Sequence, residues 1–140
     1  MGLAGAALVF GFVEPAIAPR AVAEDEQPLI GQLLVATPEM ADPRFEESVI
    51  YMISHDQTGA MGLVINHPVA EGPLADLLKG LGHESQGAKG TVAIHYGGPV
   101  ETERLFILHS NDYAAKATIF VGNGLGVTSD SGILQAIARG

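Results

Sequence analysis

Apolar and polar positions alternate in short blocks along this chain. The densest stretch, Gly31 to Pro68, reads GQLLVATPEMADPRFEESVIYMISHDQTGAMGLVINHP. It holds three apolar runs, Leu33–Ala36, Val49–Ser54 and Leu63–Ile65, separated by turn-forming residues. Leu29–Ala36 reads as a strand, and its almost unbroken apolar run predicts that both faces are covered. Asp42-Pro43 has the form of a helix start, with Asp as N-cap and Pro at the first helical position. β-Branched and aromatic residues follow, so any helix there is short. Val49–His55 and Ala60–Asn66 flank Asp56-Gln57-Thr58-Gly59 and predict a hairpin. Gly62 within it points to a bulge or a close backbone approach. His67-Pro68 ends the hairpin.

The period then changes. Pro73 opens a helix in which Leu74, Leu77, Leu78 and Leu81 form one apolar stripe. Asp76 in its first turn and Lys79 in its last suit the helix dipole. Glu84–Gly90 is a polar loop. Thr91–Tyr96 and Leu105–His109 read as strands separated by the break at Gly97-Gly98-Pro99. Thr118–Val121 and Leu125–Thr128 are short strands about Gly122-Asn123-Gly124, where Asn-Gly is a strong turn signal. Ser129 is placed to cap a last helix with Ile133, Leu134 and Ile137 on one face. No repeat or internal linker is evident. The order of elements predicts one α+β domain, hairpins with helices packed on them.

Composition narrows the function classes. The chain has 140 residues, 47% of them apolar, with 18 Gly and 8 Pro, which suits one domain of short elements. There is no Cys, so disulfides, zinc–thiolate centres and thiol nucleophiles are excluded. The net charge is −9. Glu14, Glu24, Asp25, Glu26 and Arg20 precede residue 31, leaving 12 of the 16 acids and six of the seven bases in the folded part. Those six, Arg44, Lys79, Lys89, Arg104, Lys116 and Arg139, stand singly. Binding to nucleic acid needs clustered bases, so direct binding is not expected.

Residues 1–28 are expected to lie outside the packed domain, which is assigned to 29–140. Met1–Val13 is uncharged and mostly apolar, but shorter than the ~20 residues of a membrane span. Two A-x-A triplets, Ala16–Ala18 and Ala21–Ala23, precede Glu24-Asp25-Glu26. This resembles a signal peptide without its basic n-region, and implies export if the leader is real and a cytoplasmic location otherwise.

Several dissimilar motifs fall in order: Gly31–Pro38 (GQLLVATP), Asp42-Pro43-Arg44-Phe45, His55, Gly59–Asn66 (GAMGLVIN), Gly97-Gly98-Pro99-Val100, Leu108-His109 and Ser129–Ile137. Together they resemble the YqgE/AlgH family of bacterial proteins over Leu29–Gly140. The resemblance implies an α+β fold with a strongly bent, partly barrel-like mixed sheet and flanking helices. It implies no established biochemical activity. The family usually shows Asn-Arg-Pro where this chain has Asn66-His67-Pro68, so a fixed positive charge is absent. The family also continues through a further Gly- and aromatic-rich segment, so the chain is expected to be truncated at its C-terminus.

Candidate chemistry is sparse. The five histidines, His55, His67, His83, His95 and His109, show no metal-ligand spacing, and no metal or cofactor is expected. No G-x-S-x-G nucleophile turn occurs, and Gly97-Gly98-Pro99 lacks the Gly-Lys-Ser/Thr of a phosphate loop. The leading expectation is a non-catalytic module that binds a small ligand or a protein. The alternatives are a transcriptional regulator, suggested only by the family name, and an enzyme using His55 or His109 as a base. Strand ends on a rigid sheet commonly carry sites. His55, Asn66, Gly97, Gly98 and His109 stand at such ends and form the expected ligand site, a shallow cleft between the Asp56–Gly59 turn and the Gly97–Pro99 bend.

Overall fold

A computed structural model describes residues 28–140. The expected leader therefore lies almost wholly outside the described residues. Eight strands and two helices follow: β1 Leu33–Val35, β2 Val49–Asp56, β3 Gly59–Val64, β4 Pro68–Pro73, α1 Leu74–Gly80, β5 Thr91–His95, β6 Ile107–Ser110, β7 Thr118–Gly122, β8 Leu125–Thr128 and α2 Gly132–Arg139.

The fold is α+β. In place of one mixed, partly closed sheet, the described residues form three antiparallel sheets ordered β1-β2-β3, β4-β5 and β6-β8-β7. They do not close into a barrel. β2–β3 and β7–β8 are tight hairpins, β4 pairs with β5 across the intervening α1, and β6 pairs with β8. The irregular stretch 96–106 separates the second sheet from the third, and 111–117 joins β6 to β7 within the third.

β2 and β3 form the predicted hairpin, with Asp56 opposite Gly59 and a register shift between Met52 and Ser54. Asn123 (φ 54°) and Gly124 (φ 77°) turn β7 into β8 in the left-handed region, as an Asn-Gly hairpin requires. At Asp42-Pro43 turns stand in place of the expected helix. The Asp42 carboxylate takes the Arg44 N–H at 3.0 Å, and this local bond holds the backbone in a turn.

The core has two parts. On one face of the first sheet Tyr51 and Ile53 pack against Val121 and Val127 of the third, with Leu63, Met61 and Phe106 around them. On the other side of the third sheet, Leu74 and Leu78 of α1 meet Ile133 and Leu134 of α2, with Ile107 and Val92 beneath. The layers are therefore sheet, sheet and helix pair. Each fully buried Leu or Ile contributes roughly 1.5–3 kcal/mol.

β1 departs from expectation. Leu33, Leu34 and Val35 are all exposed, Val35 at 69%. The strand lies at the edge of its sheet, and no described residue packs over either face enough to bury it.

Candidate functional site

Three segments far apart in sequence meet at the open base of the β2–β3 hairpin. Asn66 supplies the link between two of them. Its Oδ1 accepts the Val49 N–H at 2.8 Å and its Nδ2 donates to the Glu47 carbonyl at 2.8 Å. A short side chain with both an acceptor and donors is needed for this, and Asn provides it. The clamp holds Glu47 at φ 56°. The third segment lies alongside. Tyr96 N–H donates to the His67 carbonyl at 2.8 Å, and Val64 N–H donates to the Gly97 carbonyl at 3.0 Å.

Space does not explain the paired glycines. A Cβ at Gly97 would lie 3.6 Å from Leu63 Cδ2, and one at Gly98 3.9 Å from Val64 Cγ2, both ordinary contacts. Gly98 is required by its φ of 132°, which side-chain-bearing residues rarely adopt.

Asp42 and Arg44 lie on the junction's side of the sheet, Arg44 near enough to Tyr96 for their charges to interact. Arg44 Nε donates to Asp42 Oδ1 at 3.0 Å and Nη2 to Oδ2 at 2.6 Å. The guanidinium stands 5.7 Å over the Phe45 ring. The side-chain bond from Arg44, then its backbone N–H, hold the Asp42 carboxyl down at about 2. The same pairing raises the Arg44 pKa, and the Tyr96 phenol is near enough to add to the effect. The result is a guanidinium fixed in direction on an exposed surface.

The other expected site residues lie elsewhere. His55 is five residues along β2 from Ile50, which pairs with Val64 at the hairpin base. At the usual rise per residue that is roughly 17 Å. Its Nδ1 accepts the Leu29 N–H at 3.1 Å, tying down the entry to β1. Beside it, Asp56 accepts the Thr58 hydroxyl at 2.5 Å and the Thr58 N–H at 2.7 Å, bonds that lower its pKa and shape the turn. The Asp56–Gly59 turn and the Gly97–Pro99 bend thus stand at opposite ends of the hairpin. Of the five residues, the structure brings together Asn66, Gly97 and Gly98.

His109 lies on β6 in the third sheet, opposite Gly126. Its Nδ1 is 2.6 Å from the Ser110 carbonyl, which can only accept, so Nδ1 carries a proton. Its Nε2 is shielded from solvent without a partner among the described residues. Tyr113 meets the ring edge-on at 5.8 Å, and its hydroxyl donates to Asp130 Oδ2 at 3.0 Å. Asp130 Oδ1 accepts the Gly132 N–H at 2.9 Å. Asp130 thus does the capping expected of Ser129. Ser131 turns instead to His83, with Oγ and Nε2 2.7 Å apart. The sequence reading named neither Asp130 nor the His83–Ser131 contact. The cluster Ser129-Asp130-Ser131-Gly132 before an apolar run was the available signal for the cap.

Among the described residues no group of three or more His, Asp or Glu is placed to hold a metal ion. No described helix is long and apolar enough to cross a membrane.

Comparison with known proteins gives a consistent result. The AlgH-like family model (DUF179) matches residues 33–140. A UPF0301 protein of Cereibacter sphaeroides is 45% identical over 113 residues, covering 80% of this chain and 61% of that protein. A UPF0301 protein of Rhodospirillum rubrum is 41% identical over 122 residues, covering 87% of this chain and 64% of that protein. Among solved structures, the solution structure of the AlgH protein from Pseudomonas aeruginosa matches with a TM-score of 0.61 and 37% identity, over 81% of this chain and 60% of that one. The chain spans about three fifths of the length of these relatives.

Proposed function

We propose a function from one premise: this chain belongs to the AlgH-like family. The domain is a binding module for a small ligand or a protein partner, and the junction of Asp42–Arg44, Asn66-His67 and Tyr96–Gly98 is its recognition surface. One observation carries this reading. The stretch just after Asp42-Pro43-Arg44-Phe45, the end of Gly59–Asn66 and the Gly97-Gly98-Pro99 bend are distant in sequence, yet Asn66 binds Glu47 and Val49 while the Val64 N–H meets the Gly97 carbonyl, so the three meet at one edge. Arg44 offers a cation whose direction is already set by Asp42, so little side-chain entropy remains to be lost on binding. His55 and His109 are left to other roles.

The regulatory role suggested by the family name is not extended to this chain. Its bases are scattered and its net charge is −9, both unfavourable for contact with a phosphate backbone.

Native mass spectrometry on protein purified under non-denaturing conditions, with affinity capture alongside, tests the reading. A bound species or partner retained by the wild type and lost from Arg44→Ala supports it. A species retained equally by both forms places recognition elsewhere.

A further inference from the structure

We propose that Ser131 and His83 form a nucleophile–base pair that accepts an acyl group from uncharged carboxylic esters. The site is separate from the junction and does not depend on it. Ser131 opens α2, where a serine hydroxyl ordinarily accepts an N–H of the first turn. Here it makes no such cap. Asp130 takes the Gly132 N–H instead, which leaves the Ser131 hydroxyl to His83. Oγ and Nε2 are 2.7 Å apart, within the range for proton transfer from a nucleophile to its base. Both residues are half-buried, which leaves them accessible to a small ester.

The proposed step balances without a further reactant. Ser131 Oγ attacks the ester carbonyl carbon as its proton passes to His83 Nε2. The ester C–O bond breaks, and the leaving alcohol takes the proton from His83. Water then attacks the acyl-Ser131 carbonyl carbon, giving a proton to His83 Nε2; the acyl C–Oγ bond breaks, His83 returns that proton to Ser131 Oγ, and the carboxylic acid is released. Ser131 stands at the N-terminal, positive end of the α2 dipole, which favours the developing oxyanion. The amides of Gly132, Ile133 and Leu134 are already engaged by Asp130 and Ser131. Deacylation is therefore expected to be slow and the acyl form to accumulate. Glu84 adjoins His83 and Asp130 adjoins Ser131, in a chain of net charge −9, which disfavours anionic esters.

The probe is p-nitrophenyl acetate, applied to the whole 140-residue chain. A burst near one p-nitrophenol per chain is expected, with the acetyl group mapped by peptide mass spectrometry to Ser131. Ser131→Ala should remove both. His83→Gln can still hydrogen-bond to Ser131 but cannot accept its proton, so the burst rate should fall at least tenfold while the melting curve is little changed. An acetyl group absent from wild-type Ser131, or found only on other residues, overturns the proposal without recourse to any variant. So does a burst unaltered by His83→Gln.

Discussion

A Cβ added at Gly62 would lie 2.5 Å from Cγ2 of Ile50 and 3.1 Å from Sδ of Met52. Position 62 on β3 is thus closed to a side chain by Ile50 and Met52 of β2. Gly62→Ala should cost about 1–3 kcal/mol, the usual range for overpacking. Ile50→Ala in the same background removes the nearest atom, and the double variant should be more stable than the sum of the two single losses. Denaturant melts of the cycle measure this. Strict additivity would show that the contact does not constrain the hairpin.

Asn66 holds two backbone groups that belong to other segments. Asn66→Ala should destabilise the domain by about 1–3 kcal/mol, two hydrogen bonds at roughly 0.5–1.5 kcal/mol each. Asn66→Asp keeps an acceptor for Val49 N–H but loses the donor to Glu47, so its loss should be intermediate. Equal losses in the two variants would show that the Glu47 bond carries all of the effect.

Asp42 gives a pH dependence with a definite sign. Its carboxyl is held down to about 2 in the folded chain, below the ordinary aspartate value, chiefly by the Arg44 side chain. A lowered folded pKa stabilises the paired state above the unfolded pKa, and that contribution is lost as pH falls toward 2. The carboxyl carbon signal of Asp42, followed by NMR, should move near pH 2 in the wild type. In Arg44→Ala it should move to higher pH but stay below the ordinary aspartate value, because the backbone N–H of residue 44 still donates to the carboxylate. An unchanged midpoint would mean that Arg44 does not set it.

These features were unequally legible in the sequence. The β2–β3 hairpin, the Asn123-Gly124 turn and α1 follow from local patterns of period two, turn chemistry and period 3.6. Strand β4 was missed because it begins and ends in proline, which argues against a strand interior. β1 was read as covered because its residues are apolar, but burial depends on what packs over a strand. His67-Pro68 was read correctly as the end of a hairpin, yet the same stretch begins the next strand. Asn66, Gly97 and Gly98 were singled out by their places at strand ends, and the fold brings these three to one edge while His55 and His109 lie apart. The contact of His83 with Ser131 spans 48 residues and is created by the packing of α1 on α2, so no local pattern announces it.

Tyr51 is 6% exposed, and its hydroxyl has no hydrogen-bond partner among the described residues. A buried polar group left unpaired carries a desolvation cost, about 1–3 kcal/mol. Tyr51→Phe keeps the ring against its apolar neighbours and deletes that group. The variant should be as stable as the wild type or more so, by up to about that amount. A clear loss in a thermal or denaturant melt would reveal a partner for the hydroxyl in solution.

The helix pair makes the sharpest comparison, because four leucines of one stripe differ in burial. Leu74 and Leu78 are buried against Ile133 and Leu134, Leu77 is half-buried, and Leu81 is 40% exposed. The stripe is thus rotated so that its centre lies on Leu74 and Leu78 rather than on Leu77. Leu78→Ala leaves a cavity between α1 and α2 and should cost about 2–5 kcal/mol. Leu77→Ala should cost less, and Leu81→Ala should be within about 0.5–1 kcal/mol of the wild type, as for a partly exposed site. On α2 the same logic separates buried Ile133 from Ile137, which is 52% exposed. The order Leu78, Leu77, Leu81 in denaturant melts checks the rotation of α1. A larger loss at Leu81 than at Leu78 would mean that the helix turns a different face to α2.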